Sequence, residues 1–124
     1  MRFKNFISKL RNTYTSVRFD VIEEECPDKK LQYNQALHLI RILQEATGNA
    51  LKHAGCSVIT CEKKANGQLI LFRITDDGRG FLADDDNNKT GNGLPNMLQR
   101  SQESGFGWVI ISKPGEGTRI EVSV

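Results

Sequence analysis

The order of elements in this 124-residue chain predicts an α+β fold: a two-layer α/β sandwich with a mixed sheet and helices packed on one face. Three observations predict it. Short alternating segments read as strands near residues 16–24, 56–63, 68–75, 108–112 and 118–124. A long amphipathic helix spans about 35–54, and a shorter one runs from Leu94 to about Glu103. The sequence of elements is strand, helix, two strands, loop, helix, two strands, which is not the regular alternation of a doubly wound parallel sheet.

Residues 2–12 place Phe3, Phe6, Ile7 and Leu10 at helical spacing, so a short helix precedes the first strand. Its apolar stripe has two candidate partners: this domain, or a segment outside the chain. Val17, Phe19 and Val21 alternate with Arg18 and Asp20 in the first strand. Residues 23–30, with a proline and many charges, read as a loop. In the long helix Ala36, Leu39, Ile40, Leu43, Thr47, Ala50 and Ala54 form one stripe at 3.6-residue spacing. Gly55 stands where a helix C-cap glycine is expected. The next two strands form a hairpin with a turn at Ala65-Asn66-Gly67. Residues 82–92 lack periodicity and read as a mobile, lid-like loop. Pro95 favours a helix start at Leu94. The last hairpin turns across Lys113–Gly117.

Composition bounds the function. Hydrophobic content is 38%, charged content 26% and net charge +2, which describe a globular chain and give no electrostatic case for nucleic acid or membrane binding. No apolar run approaches the roughly 20 residues that span a bilayer. Cys26, Cys56 and Cys61 are odd in number and lack a C-x-x-C pair, so they read as free thiols in a reducing compartment. There is no P-loop and no G-x-G-x-x-G. Asp84–Lys89 imitates the start of a calcium loop, but Lys89 replaces the required glycine and Pro95 the terminal glutamate. Cys56, His53 and Cys61 are too sparsely spaced for a zinc site.

The segment Asp76-Asp77-Gly78-Arg79-Gly80-Phe81 carries the clearest chemical signal. Alternation along the preceding strand puts Ile70, Phe72, Ile74 and Asp76 on one face, so the strand aims a carboxylate at the core layer. A buried carboxylate needs a donor, and the glycines beside it allow backbone to approach a ligand closely. Thr118 shares the apolar face of the final strand with Ile120, Val122 and Val124, which makes it a second candidate polar contact in an apolar pocket. A threonine that merely starts a strand is the alternative. On the long helix His38, Arg41, Glu45, Asn49 and Lys52 cluster on a second face. A carboxylate, an amide oxygen and an ammonium there suit a metal-bound phosphate, with the carboxylate as base. A solvated helix face is the alternative that helix geometry leaves open. Gly91-Asn92-Gly93-Leu94-Pro95 precedes a helix and reads equally as hinge or phosphate cradle.

Four boxes now stand in order: Gln44–Ala54 (QEATGNALKHA), Asp76–Phe81 (DDGRGF), Gly91–Leu94 (GNGL) and Gly115–Thr118 (GEGT). The set resembles the ATP-binding catalytic domain of bacterial sensor histidine kinases, in the GHKL or Bergerat-fold superfamily, over roughly residues 14–124. The resemblance implies a domain over 14–124, with residues 1–13 a helical remnant of the linker to a missing dimerisation domain. It implies that Asp76 accepts a hydrogen bond from the adenine amino group, that Gly78 and Gly80 shape the adenine pocket, and that Thr118 helps read the adenine edge. Asn49 would ligate Mg²⁺ between the phosphates, Glu45 would be catalytic by polarising the attacking group, and Lys52 and His53 would approach the phosphates. Gly91 and Gly93 would hinge a lid over the triphosphate, and Leu94 would be a further nucleotide-binding residue.

The implied cofactors are ATP and Mg²⁺. The implied reaction is transfer of the γ-phosphoryl to a histidine on a dimerisation domain of the same parent protein, with a response regulator downstream. The implied location is the cytoplasm, or the cytoplasmic portion of a membrane-bound sensor, with no nucleic acid partner and no membrane insertion by this segment. His38 and His53 both lie on the nucleotide helix and are poor phosphoacceptors, so an isolated catalytic fragment, or transfer in trans, is expected. An anti-sigma-factor-like serine kinase of the same fold and a non-catalytic ATP-sensing module are the competing readings.

Overall fold

A computed structural model describes residues 3–53, 55–80 and 94–124, without the His53 side chain. The elements are α1 (Phe3–Thr13), β1 (Arg18–Glu23), α2 (Tyr33–His53), β2 (Val58–Asn66), β3 (Leu69–Asp76), α3 (Leu94–Ser104), β4 (Gly107–Ser112) and β5 (Thr118–Ser123). The five strands form one sheet in the order β1-β2-β3-β5-β4. Only β1 and β2 run parallel; the β2–β3, β3–β5 and β4–β5 pairs are antiparallel. The α+β class, the mixed sheet and the element order match the expectation from sequence.

Local chemistry explains where the elements start and stop. Helix α2 begins at Tyr33, two residues before the expected start at Gln35, because Gln35 Oε1 accepts from the Gln32 N–H at 3.0 Å, one half of a capping box. Past its C-terminus Gly55 adopts φ +59°. Strand β2 runs on to Asn66, so the turn is the two-residue Gly67-Gln68 loop rather than Ala65-Asn66-Gly67. Gly67, at φ +62°, takes the first central position of that tight hairpin, where a left-handed glycine fits the strand twist.

The inner face of the sheet carries Phe19, Ile59, Cys61, Ile70, Phe72, Ile74, Ile120 and Val122, all buried. Helix α2 covers it with Leu39, Ile42, Leu43, Ala46 and Ala50. Ile42 and Ala46, absent from the stripe read in sequence, are among its most enclosed members at 0% and 2% exposure. Thr47 is buried in the same stripe because its hydroxyl donates to the Leu43 carbonyl at 2.9 Å. Helix α1 packs on this domain: Phe3 and Ile7 are in the core, and the Phe3 ring lies 5.6 Å from that of Phe72. The Arg11 guanidinium donates to the Phe19 carbonyl on the edge strand at 2.6 Å. Helix α3 contributes Met97. The opposite sheet face is polar at its centre, where Arg73 bridges Glu62 at 3.4 Å and Glu121 at 3.2 Å across three adjacent strands. That ladder explains why the described helices lie on one face only.

Asp77 anchors the start of β2 to the end of β3. Its Oδ1 accepts from the Ser57 N–H at 2.8 Å and the Val58 N–H at 3.0 Å. These backbone donors, Val58 foremost, hold its carboxyl below the usual carboxylate range. A lowered folded pKa stabilises the fold above the unfolded-state pKa, and the effect disappears as pH falls through the folded value. Asp77→Ala is therefore expected to lower stability at pH 7 by about 1 kcal/mol, a modest figure because the group is exposed and solvent-screened. Denaturant unfolding across pH checks this: the gap between the two proteins should close below the usual carboxylate range, and a gap independent of pH would contradict it.

Candidate functional site

The site forms where the end of β3 meets the turn between β4 and β5. Asp76 closes the inward-facing series of β3 and is only 7% exposed. Its Oδ1 accepts from the Gly78 N–H at 2.8 Å. Burial pushes its pKa up, the Gly78 amide opposes that, the neighbouring Asp77 charge adds to it, and the Thr118 amide opposes it again. The net direction is upward, so burial outweighs the two backbone donors. A raised folded pKa means that the destabilising effect of its charge is absent below the ordinary carboxylate range and sets in as pH rises through the folded value.

Two glycines let the surrounding backbone close in. A Cβ at Gly80, where φ is +64°, would sit 2.0 Å from the Lys113 carbonyl oxygen and 2.8 Å from that of Gly117. A Cβ at Gly117, where φ is +78°, would sit 2.2 Å from the Asp76 carbonyl oxygen. The Gly115 N–H donates to the Arg79 carbonyl across the same junction. The two loops are therefore in backbone contact that no side chain permits, and both φ values favour glycine. Sequence reading placed Gly80 in the pocket but did not select Gly117, although the G-x-G-T string held the signal.

Thr118 pairs with Asp76 in the β3–β5 register and with Ser112 in the β4–β5 register. Its hydroxyl lies 2.8 Å from Ser112 Oγ, and Ser112 Oγ donates to the Gly117 carbonyl at 3.2 Å. Ser112 was missed in the sequence, where it only marked the end of a strand.

The other half of the site comes from the C-terminal half of α2. Glu45 and Asn49 are half-buried, beside the enclosed Ala46 and Ala50, and Lys52 is exposed. Neither Glu45 nor Asn49 has a side-chain hydrogen bond or ion pair among the described residues. No group of three or more His, Cys, Asp or Glu side chains among the described residues could hold a metal ion by itself. Gly48 has nothing described within 4 Å of where a Cβ would be, so no close neighbour demands a glycine in that helix. His38, grouped with this face by helical spacing, instead meets α3: its ring lies 3.4 Å from Glu103 Oε2 and 3.4 Å from Arg100 Nη1.

The end of α2 and the Asp76 loop come together through the chain that follows the helix. Cys56 Sγ contacts the Ala50 carbonyl at 3.4 Å, and its thiol pKa is raised by burial and then by the charges of Asp76 and Asp77. A Cβ on Gly55 would lie 3.9 Å from an Arg79 side-chain nitrogen. The helix face and the buried carboxylate thus share one end of the molecule. Leu94 opens α3 and packs against the core. Gly91, Gly93, the rest of the expected lid and the acidic run Asp84–Lys89 lie outside the described residues, as does the His53 side chain. A solvent-open groove of about 490 Å³, lined by Lys4, Ser8, Arg11, Val21 and Glu23, runs along edge strand β1 and is separate from this site. No helix among the described residues is long and apolar enough to cross a membrane.

Residues 34–124 match the family model described as histidine kinase-, DNA gyrase B- and HSP90-like ATPase. The chain is 44% identical over 85 residues to the sensor protein VraS of Staphylococcus saprophyticus, covering 68% of this chain and 24% of that protein. It is 39% identical over 101 residues to VraS of Staphylococcus aureus strain COL, covering 82% of this chain and 29% of the relative. The chain thus spans about a quarter of the length of these curated relatives. Among solved structures, the histidine kinase domain of the Erythrobacter litoralis EL346 blue-light activated histidine kinase superposes with a TM-score of 0.77 at 21% identity, over 98% of this chain and 58% of that one. The mycobacterial sensor histidine kinase MprB superposes with a TM-score of 0.71 at 15% identity, over 98% and 89%. These two likenesses carry the fold; the sequence match over most of the chain carries the family. The chain belongs to the histidine kinase-, DNA gyrase B- and HSP90-like ATPases.

Proposed function

We propose that this chain is the ATP-binding catalytic domain of a two-component sensor histidine kinase, transferring the γ-phosphoryl of Mg-ATP to a histidine on a separate dimerisation domain. The observation that carries the proposal is the buried Asp76 carboxylate, framed by backbone that Gly80 and Gly117 bring close, at the same end of the molecule as the Glu45–Asn49 face, which has no side-chain partner among the described residues. The family membership and the sensor relatives support it.

In this reading Asp76 accepts from the adenine amino group, Gly78 and Gly80 shape the wall around the base, and Thr118 reads the adjoining edge. Lys52 and His53 meet the phosphates. Gly91 and Gly93, outside the described residues, would be the hinge of a lid, and Leu94 would meet the nucleotide. Asn49 is a fitting Mg²⁺ ligand, since it is half-buried, has no partner among the described residues and offers a single amide oxygen. One protein oxygen suits an ion carried mainly by substrate phosphates and water. Bound there, the ion would neutralise charge on the phosphates. Glu45, one helical turn from Asn49, orients the attacking imidazole and takes the proton from its other ring nitrogen, while the attacking nitrogen bonds to the γ-phosphorus, the bond to the bridging oxygen breaks and ADP leaves. Catalysis of this kind is mostly positioning and electrostatics. The proposed partners are the phosphoacceptor domain of the same parent protein and a downstream response regulator, and the proposed location is the cytoplasmic side of the cell.

Asp76→Asn is expected to weaken ATP binding by roughly 1.5–3 kcal/mol, the range for hydrogen bonds to a charged group. Calorimetry that finds unchanged affinity in a folded variant would remove Asp76 from the base pocket. Glu45→Gln should retain ATP binding but slow transfer to an added phosphoacceptor domain by roughly 10²- to 10⁴-fold, as for loss of a general base. Equal transfer rates would demote Glu45 to a helix-face residue.

A further inference from the structure

The two edges of the sheet are finished differently. The Arg18 and Glu24 amides donate to the Ser57 and Lys63 carbonyls, so every second residue of β1 bonds to β2. The Phe19 carbonyl between them points out along the edge, and the Arg11 guanidinium donates to it at 3.1 Å and 2.6 Å. Helix α1 lines the same edge with Lys4 and Ser8. An edge capped in this way, with charged side chains along it, resists pairing with another strand. Strand β4, at the other edge, has no such device among the described residues, and its sequence GWVIIS contains neither charge nor proline. Ile70 and Val124 exchange backbone hydrogen bonds at 3.0 Å and 2.9 Å, which sets the alternation along β5. Ile120 and Val122 bond toward β3, so Arg119, Glu121 and Ser123 bond toward β4, where their partners are Ile111, Val109 and Gly107. The N–H and C=O groups of Trp108 and Ile110 are therefore directed out of the sheet along its open edge. Val109 and Ile111 stand on the outer face at 47% and 50% exposure, and Trp108 and Ile110 are only half-buried.

We propose that β4 is a self-association edge, pairing antiparallel with β4 of a second copy of this chain about a two-fold axis at Val109. In that register Trp108 of each copy lies opposite Ile110 of the other, and each such pair exchanges both N–H···O bonds through the edge groups that β5 does not use. Trp108 against Ile110 is an aromatic and β-branched pair of the kind that stabilises sheets. On the outer face Val109 meets Val109 of the second copy, and Ile111 lies opposite Gly107, which has no side chain to obstruct it. Charge favours a second copy as the occupant. An uncharged strand offers nothing for a charged peptide to pair with, and two identical uncharged strands meet no like charge. The association also closes. Once the two β4 strands are joined, the edges that remain are the two β1 strands, each capped by Arg11, so no third copy can add. A single strand pair is small beside a standard interface, so the dimer is expected to be weak.

The test is sedimentation of this chain from roughly 1 μM to roughly 1 mM, a range that covers weak dimers. The mass should rise with concentration to twice that of the chain and stop there. Val109→Lys changes an exposed side chain, so the fold is retained, but it sets two ammonium groups against each other at the axis and should weaken association about tenfold or more. Val109→Glu should do the same alone, and an equimolar mixture of the two variants should recover the doubled mass, a result that a dimer through another surface would not give. Amide hydrogen exchange supplies the second readout. Trp108 and Ile110 amides should gain protection as concentration rises, while those of Val109 and Ile111, bonded to β5, are protected throughout. A chain that stays monomeric over the whole range overturns the pairing. So does a dimer indifferent to Val109→Lys, or a mass that keeps growing past two copies.

Discussion

Asp76 is a carboxylate placed where the strand pattern calls for an apolar side chain. Leaving such a group in the core layer without donors is costly, and the local backbone is arranged around it. The Gly78 amide donates to it, the Thr118 amide favours its charged form, and burial still wins, holding its pKa up. The fold thus keeps a nearly enclosed carboxylate at the end of β3, held by backbone donors. The close approach of the 113–117 turn follows from the same constraint, since any side chain at Gly80 or Gly117 would push that turn away from the end of β3.

The chemistry is divided between two elements. In the proposed ATP site the sheet would provide the end that meets the base, through Asp76 and Thr118. The helix would provide the end that meets the phosphates, through Glu45, Asn49 and Lys52. Those two ends need a fixed separation, and the α2 stripe of Leu39, Ile42, Leu43, Ala46 and Ala50 fixes it by locking the helix onto the sheet. The Glu62–Arg73–Glu121 ladder keeps the other sheet face polar, so the core forms on one side and the helix has one place to dock.

Much of this was legible in the sequence because periodicity reports burial. Parity along β3 and β5 alone placed Asp76 and Thr118 on the inner face. Element boundaries were less legible, since they depend on contacts that spacing does not encode. The reach of Gln35 back to Gln32 starts α2 at Tyr33, and the left-handed Gly67 moves the hairpin turn by two residues. His38 shared a helical face with Glu45 and Asn49 in projection, yet α3 captures it through Glu103 and Arg100. Gly117 stood in the G-x-G-T string without being selected, and only the folded chain shows it beneath the Asp76 carbonyl; Ser112 carried no signal because its place opposite Thr118 arises from pairing between strands.

The most direct measurement of the central claim is a structure of this chain with a non-hydrolysable ATP analogue. The adenine amino nitrogen should lie within hydrogen-bond distance of the Asp76 carboxylate, with the triphosphate running toward Glu45 and Asn49 on α2. A base bound away from Asp76, or phosphates directed away from that helix face, would contradict the account.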